Sequence, residues 1–198
     1  MKYINQKDYP HWLYITRTGC EPEIREKGKT TTIATSGCGL CSSIMVADRL
    51  IPNCEFGLKD AVDLSYAVQA NDIAGTNFSR YAPAFAEKMG LRYENSADMQ
   101  ALKHCLLTGG AAIVLVGGDR EGHVGLFTHG RHYMAVVGME PDGRFAILDP
   151  ALYPGKFEEE GRQGKIELQR GVIALCTEQV LTEETRHVDP CFFLFWRA

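Results

Sequence analysis

The sequence predicts an α+β domain, with helices first and an antiparallel sheet after them. Three observations carry this. Apolar residues recur at helical spacing between residues 39 and 107, and continuous apolar runs bounded by glycine begin at residue 111. An Asp-Gly pair, Asp142-Gly143, then separates two of those runs as a hairpin turn does. With 198 residues, 45% of them hydrophobic, the chain is long enough for one domain with a substantial core. We read residues 1–198 as a single domain, with a mainly helical half over 1–108 and a mainly antiparallel β half over 109–198.

Taken in order, the first 30 residues carry little periodicity and read as an irregular arm. Thr30-Thr31-Thr32-Ile33 is β-prone and is punctuated by Ser36-Gly37. Leu40, Ile44, Ala47 and Ile51 then fall on one helical face, predicting a helix over 39–50 that Pro52 ends. A second helix fits 58–70, with Ala61, Leu64, Ala67 and Val68 inward, and a third fits 79–89, closed by Gly90. A fourth fits 98–107, where Asp98 can cap and Met99, Leu102 and Leu106 face the core.

The second half changes character. Residues 111–116 form an unbroken apolar run suited to a buried strand. Further strands are predicted over 133–137, 145–148, 171–176 and 191–196, and the polar, glycine-bearing stretch 152–165 reads as a loop. Seven scattered cysteines fit a reducing, cytoplasmic setting, and the N-terminus has no apolar leader. A net charge of −4 without any basic stripe gives no footprint for nucleic acid, and no stretch has the length of a membrane helix.

The chemistry concentrates at Cys38. It stands between Gly37 and Gly39 at the start of the first strong helix, where unpaired N–H groups and the helix dipole favour thiolate over thiol. A buried structural cysteine is the plain alternative. Two downstream features weigh against it. His132 opens a strand after a glycine-containing loop, and Asp149 ends the next strand before Pro150. Antiparallel neighbours joined by a tight turn bring such residues together, supplying a base and its orienter for a nucleophile.

At these residues the chain resembles the C39-like peptidases, a papain-like group of bacterial cysteine peptidases. The matching motifs are Gly37-Cys38-Gly39 with Met45-Val46 in the following helix, Gly75-Thr76 before Phe78, and Gly90-Leu91. They continue with Phe127-Thr128, His132-Tyr133 and Asp149-Pro150, so the resemblance runs in order from about residue 3 to 150. It implies a papain-like fold, with the cysteine on the helical part and His and Asp on the sheet. It also implies a Cys38/His132/Asp149 triad acting on a peptide or protein substrate, with no cofactor or metal. Two positions depart from the pattern: Arg131 replaces the usual glycine before the histidine, and residues 32–37 lack the family's oxyanion glutamine. Gln6, in Asn5-Gln6-Lys7-Asp8, is the candidate for that role, against the alternative of an exposed arm residue.

Other readings remain at this point. Cys41 rivals Cys38, since Cys38-Gly39-Leu40-Cys41 echoes the papain signature in which the second cysteine acts. The same Cys-x-x-Cys suits a thiol–disulfide oxidoreductase, or half of a zinc site completed by His123, His129 or His132. A binding module that has kept the fold and lost turnover is the non-catalytic alternative. His123 and His129 read as solvated loop histidines.

Overall fold

A computed structural model describes residues 1–14, 31–72 and 75–198 of the chain. Part of the expected N-terminal arm, residues 15–30, and Cys20 within it lie outside the described residues. In chain order the helices are α1 (Ile33–Ser36), α2 (Cys38–Leu50), α3 (Leu58–Ala67), α4 (Phe78–Met89), α5 (Met99–Leu107) and α6 (Glu178–Thr185). The strands are β1 (Asn71–Asp72), β2 (Gly75–Thr76), β3 (Leu91–Ser96), β4 (Ala111–Val116), β5 (His132–Met139), β6 (Phe145–Leu148), β7 (Glu167–Gln169), β8 (Ile173–Cys176) and β9 (Phe192–Arg197). Short 3-10 turns stand at Gln6–Asp8 and Lys156–Glu158. Among the described residues no helix is long and apolar enough to cross a membrane.

The result is a mixture of helix and antiparallel sheet. Strands β3 to β9 form a seven-stranded antiparallel sheet in the order β3-β9-β4-β5-β6-β8-β7. Strands β9, β4, β5, β6 and β8 lie inside it, and every residue of β4 and β6 is buried, which is why those two appear in the sequence as unbroken apolar runs. Helix α2 is apolar on nearly every side: Leu40, Cys41, Ile44, Met45, Val46, Ala47 and Leu50 are all buried. It is a central element rather than an amphipathic surface helix.

Several elements depart from the sequence reading, each for a physical reason. Strand β3 places an edge strand inside the stretch read as helical, because Arg92, Glu94 and Asn95 are exposed and no apolar run marks it. Helix α6 and strand β7 are likewise polar and half-exposed, and the sequence reading passed over both. Of the Thr30–Ile33 stretch, Thr30 lies outside the described residues and Thr31–Ile33 is not a strand; Thr32 makes one isolated bridge to Leu13, and Ile33–Ser36 turns as a helix. Helix α3 stops at Ala67, three residues early, as Gln69 takes a positive φ of 54°.

Two contacts seat helix α2 on strand β5 and so position the site. Ser42 Oγ donates to the Tyr133 carbonyl at 3.2 Å, and Arg49 Nε donates to the Val137 carbonyl at 3.0 Å. The first turn of α2 also packs closely on α4. A Cβ added at Gly39 would lie 2.4 Å from Phe78 Cε2 and 3.3 Å from Thr76 Cβ. The glycine after Cys38 is therefore there to admit the Phe78 ring. Gly39→Ala is expected to overpack this contact and destabilise the protein by roughly 1–3 kcal/mol. A urea midpoint equal to that of the unsubstituted protein would contradict this packing.

Candidate active site

Cys38 is the first residue of α2, with Gly37 as its N-cap, and its side chain is half-buried. The position gives the thiol the positive end of the helix dipole. The backbone N–H groups of Gly39 and Tyr133 also point at the sulfur. Gly37 permits a tight approach to the preceding turn, since a Cβ there would lie 2.7 Å from Ile33 Cγ2 and from the Ile33 carbonyl oxygen.

His132 opens β5 and Asp149 follows β6 directly. The register pairs Ala135 with Leu148, so Asp149 continues opposite Met134 and His132 stands two residues further along the same face. Diagonal neighbours of this kind are within side-chain reach. His132 Nε2 lies 2.8 Å from Asp149 Oδ1. With Nε2 engaged there, Nδ1 is the ring nitrogen left for another partner. His132 thus meets the Asp149 carboxylate directly, and Cys38 stands near enough to the ring for each group to shift the other's protonation.

Burial and charge set their protonation. Burial raises the Asp149 carboxyl, but His132 and then Lys156 outweigh it and hold the group well below the usual carboxylate range. Burial lowers His132, but Asp149 and then Cys38 outweigh it and lift the imidazole from 6.5 to about 9. Burial raises Cys38, and the hydrogen bond and charge of His132 more than offset it, leaving the thiol below its ordinary value. These shifts together favour a thiolate–imidazolium pair, which is a nucleophile beside a proton donor. Cys41, one turn further along, is fully buried and its thiol is pushed up by burial, so it lacks the features of a nucleophile.

Gln6 is buried, 4% exposed, which rules out an exposed arm residue. Its backbone N–H donates to the Pro150 carbonyl at 2.7 Å and its side-chain Nε2 donates to the Ala34 carbonyl at 2.9 Å. It therefore bridges the residue after Asp149 to the turn before Cys38. Its Oε1 has no hydrogen-bond partner among the described residues. Cys38 opens onto a cleft of about 270 Å³, whose lining includes Phe78, Tyr133 and Phe193 together with Asp72, Arg131 and Asp189. Gln6 is not among the described residues that line it. Arg131, the departure at the histidine, stands at this cleft as an exposed cation.

The sequence reading missed Lys156. It lies in the stretch read as a loop, is 3% exposed, and donates to Asp149 Oδ2 at 2.5 Å and to the Ala151 carbonyl at 3.3 Å. No local pattern marks it, since a lysine among glycines and glutamates reads as solvated. The loop histidines are also more engaged than expected. His123 Nε2 lies 2.9 Å from the buried Glu184 carboxylate, and exposed His129 bridges Asp119 at 2.8 Å and Arg162 at 3.1 Å. Arg162, almost fully buried, also donates to the Gly125 carbonyl at 3.0 Å, tying the 152–165 stretch to the loop before His132. Among the described residues, no group of three or more His, Cys, Asp or Glu side chains is arranged to hold a metal ion.

No protein-family model matches the sequence, and no curated protein is significantly similar to it. The fold is shared with a solved structure, that of a Bacillus anthracis protein provisionally assigned as a C39-like peptidase. The TM-score is 0.52 at 10% sequence identity, over 82% of this chain and 89% of that one.

The protonation pattern has a consequence for stability. The raised His132 contributes stability that is complete below 6.5 and is lost as pH rises through about 9. The lowered Cys38 contributes in the opposite sense: its share is complete above the ordinary thiol value of 9.0 and is lost as pH falls. Across that window the two largely cancel, because the folded pair and the unfolded pair each hold one proton. Cys38→Ala leaves Asp149 alone to raise His132, so stability is expected to fall as pH rises above 6.5, over a span ending short of 9, while the unsubstituted protein changes little. Urea midpoints measured across this range test it; parallel pH profiles for the two proteins would contradict the pairing.

Proposed function

We propose that this chain is a cysteine hydrolase that cleaves a peptide or other amide bond through Cys38, His132 and Asp149. The observation that carries the reading is the His132 ring, 2.8 Å from the buried Asp149 carboxylate, beside a helix-start thiol held below its ordinary pKa. Its location beside an aromatic-lined cleft and the fold shared with the Bacillus anthracis protein support the same reading. The C39-like resemblance of the sequence adds the reaction class.

In this mechanism the Cys38 thiolate attacks the substrate carbonyl carbon, forming the C–S bond as the carbonyl oxygen takes up the negative charge. The His132 imidazolium gives its proton to the leaving nitrogen and the C–N bond breaks, leaving a thioester. Neutral His132 then draws a proton from water, the resulting hydroxide attacks the thioester, and C–S cleavage returns the thiolate–imidazolium pair. Asp149 holds the ring in orientation and stabilises its charge throughout. The backbone N–H of Cys38 is one oxyanion donor. Gln6 is proposed as the second, through the amide N–H not given to the Ala34 carbonyl.

Mass spectrometry after brief exposure to iodoacetamide at neutral pH is expected to find label on Cys38 well before Cys41. Cys38→Ala is expected to abolish amide hydrolysis, and Cys41→Ala to preserve most of it. Rapid labelling confined to Cys41, or full activity in Cys38→Ala, would move the nucleophile elsewhere. Gln6→Ala should lower kcat by on the order of 10²-fold if its amide donates to the oxyanion. Loss of stability with kcat unchanged would make it a structural bridge only.

A further inference from the structure

The buried Lys156–Asp149 pair gives the carboxylate a second cationic partner beside His132, and that position has a consequence. Asp149 is completely buried and accepts three hydrogen bonds. His132 Nε2 and the Ala151 N–H, each at 2.8 Å, share Oδ1, and Lys156 Nζ takes Oδ2 at 2.5 Å. Two cations therefore sit on one carboxylate. The lysine is fixed there by the Ala151 carbonyl and by the Tyr153 ring, whose centroid is 5.6 Å from Nζ. The lysine charge on Oδ2 opposes part of the carboxylate's attraction for the imidazolium on Oδ1. A site that must release a proton to a leaving nitrogen is poorly served by an imidazolium held too tightly.

We propose that Lys156 is a positioning residue that shares the Asp149 carboxylate with His132 and thereby limits how firmly the imidazole holds its proton. This rests on the hydrolase reading for its purpose, but not for its electrostatics. Removing the lysine charge while keeping a hydrogen-bond donor leaves Asp149 with one cationic partner, so His132 binds its proton more tightly and titrates at higher pH. The other groups facing the trio stay in place. They are Cys38 and Cys41 on α2, Tyr133 beside His132, Tyr3, Lys7 and Asp8 on the N-terminal segment, and Arg162 beyond Lys156.

The test is the titration of the His132 ring, followed by nitrogen-15 NMR in the full chain. Lys156→Gln is expected to move that titration upward by at least about half a pH unit, and Lys156→Arg, which keeps the charge, to leave it near its original value. A titration unchanged in Lys156→Gln, or moved equally in both variants, would overturn the proposal. Should Lys156→Gln not fold, Lys156→Met, which removes the charge and leaves the Asp149 carboxylate to His132 and the Ala151 N–H, takes its place, with Lys156→Arg again as the charge-keeping control. Its His132 ring must titrate above that of the unsubstituted protein, and an unchanged titration would overturn the proposal. The readout needs no substrate. Absence of rapid Cys38 alkylation would therefore count against the hydrolase reading alone, leaving the electrostatic result to be judged by itself.

Discussion

One fully buried carboxylate, that of Asp149, constrains much of what surrounds it. A carboxylate taken out of water without partners costs several kcal/mol even after the protein relaxes. This one is offset by two cations and a backbone N–H, and the elements that supply them must converge on it. Strand β5 delivers the imidazole, and the turn after β6 delivers the lysine. The N-terminal segment fastens the backbone around it. Tyr3 Oη donates to the Asp149 carbonyl at 2.8 Å, the Gln6 N–H to Pro150 at 2.7 Å, and Asn5 Nδ2 to Leu152 at 2.7 Å. Because Gln6 also holds the Ala34 carbonyl, this segment links the acid's strand to the turn before the nucleophile.

The same constraint explains the division of labour between helix and sheet. The thiol needs a helix N-terminus for its charge, and α2 lies along β5 with that end, through Ser42, at Tyr133 beside His132. The base and the acid need a fixed separation, which adjacent antiparallel strands supply through their register. Gly39, Phe78 and Tyr133 join the two parts, with the rings of Phe78 and Tyr133 stacked at 4.3 Å between centroids. Motifs far apart in the chain therefore report one packed surface beside the thiol.

How much of this was legible in the sequence follows from which signals are local. Helices α2, α4 and α5 and the buried strands β4, β6 and β9 were legible because burial forces a helical period or an apolar run into the residues themselves. The positions of Cys38, His132 and Asp149 were legible because each sits at the end of such an element. Strands β3 and β7 and helix α6 were not, since edge strands and a half-exposed helix leave polar sequence with little period. Lys156 and Arg162 were read as loop residues for the same reason. Their burial is a property of partners across the fold, Asp149 for the one and the Gly125 carbonyl for the other. A lysine in a glycine-rich stretch looks solvated until the carboxylate it meets is known.

The account depends on His132, backed by Asp149, holding Cys38 as a thiolate. Ultraviolet absorbance of the thiolate, titrated against pH in the intact chain and in Cys38→Ala, reads that state directly. The account predicts a thiolate that ionises below the ordinary thiol value of 9.0, that is absent in Cys38→Ala, and that moves upward in His132→Ala. A titration at or above the ordinary value, or one indifferent to His132, would contradict it.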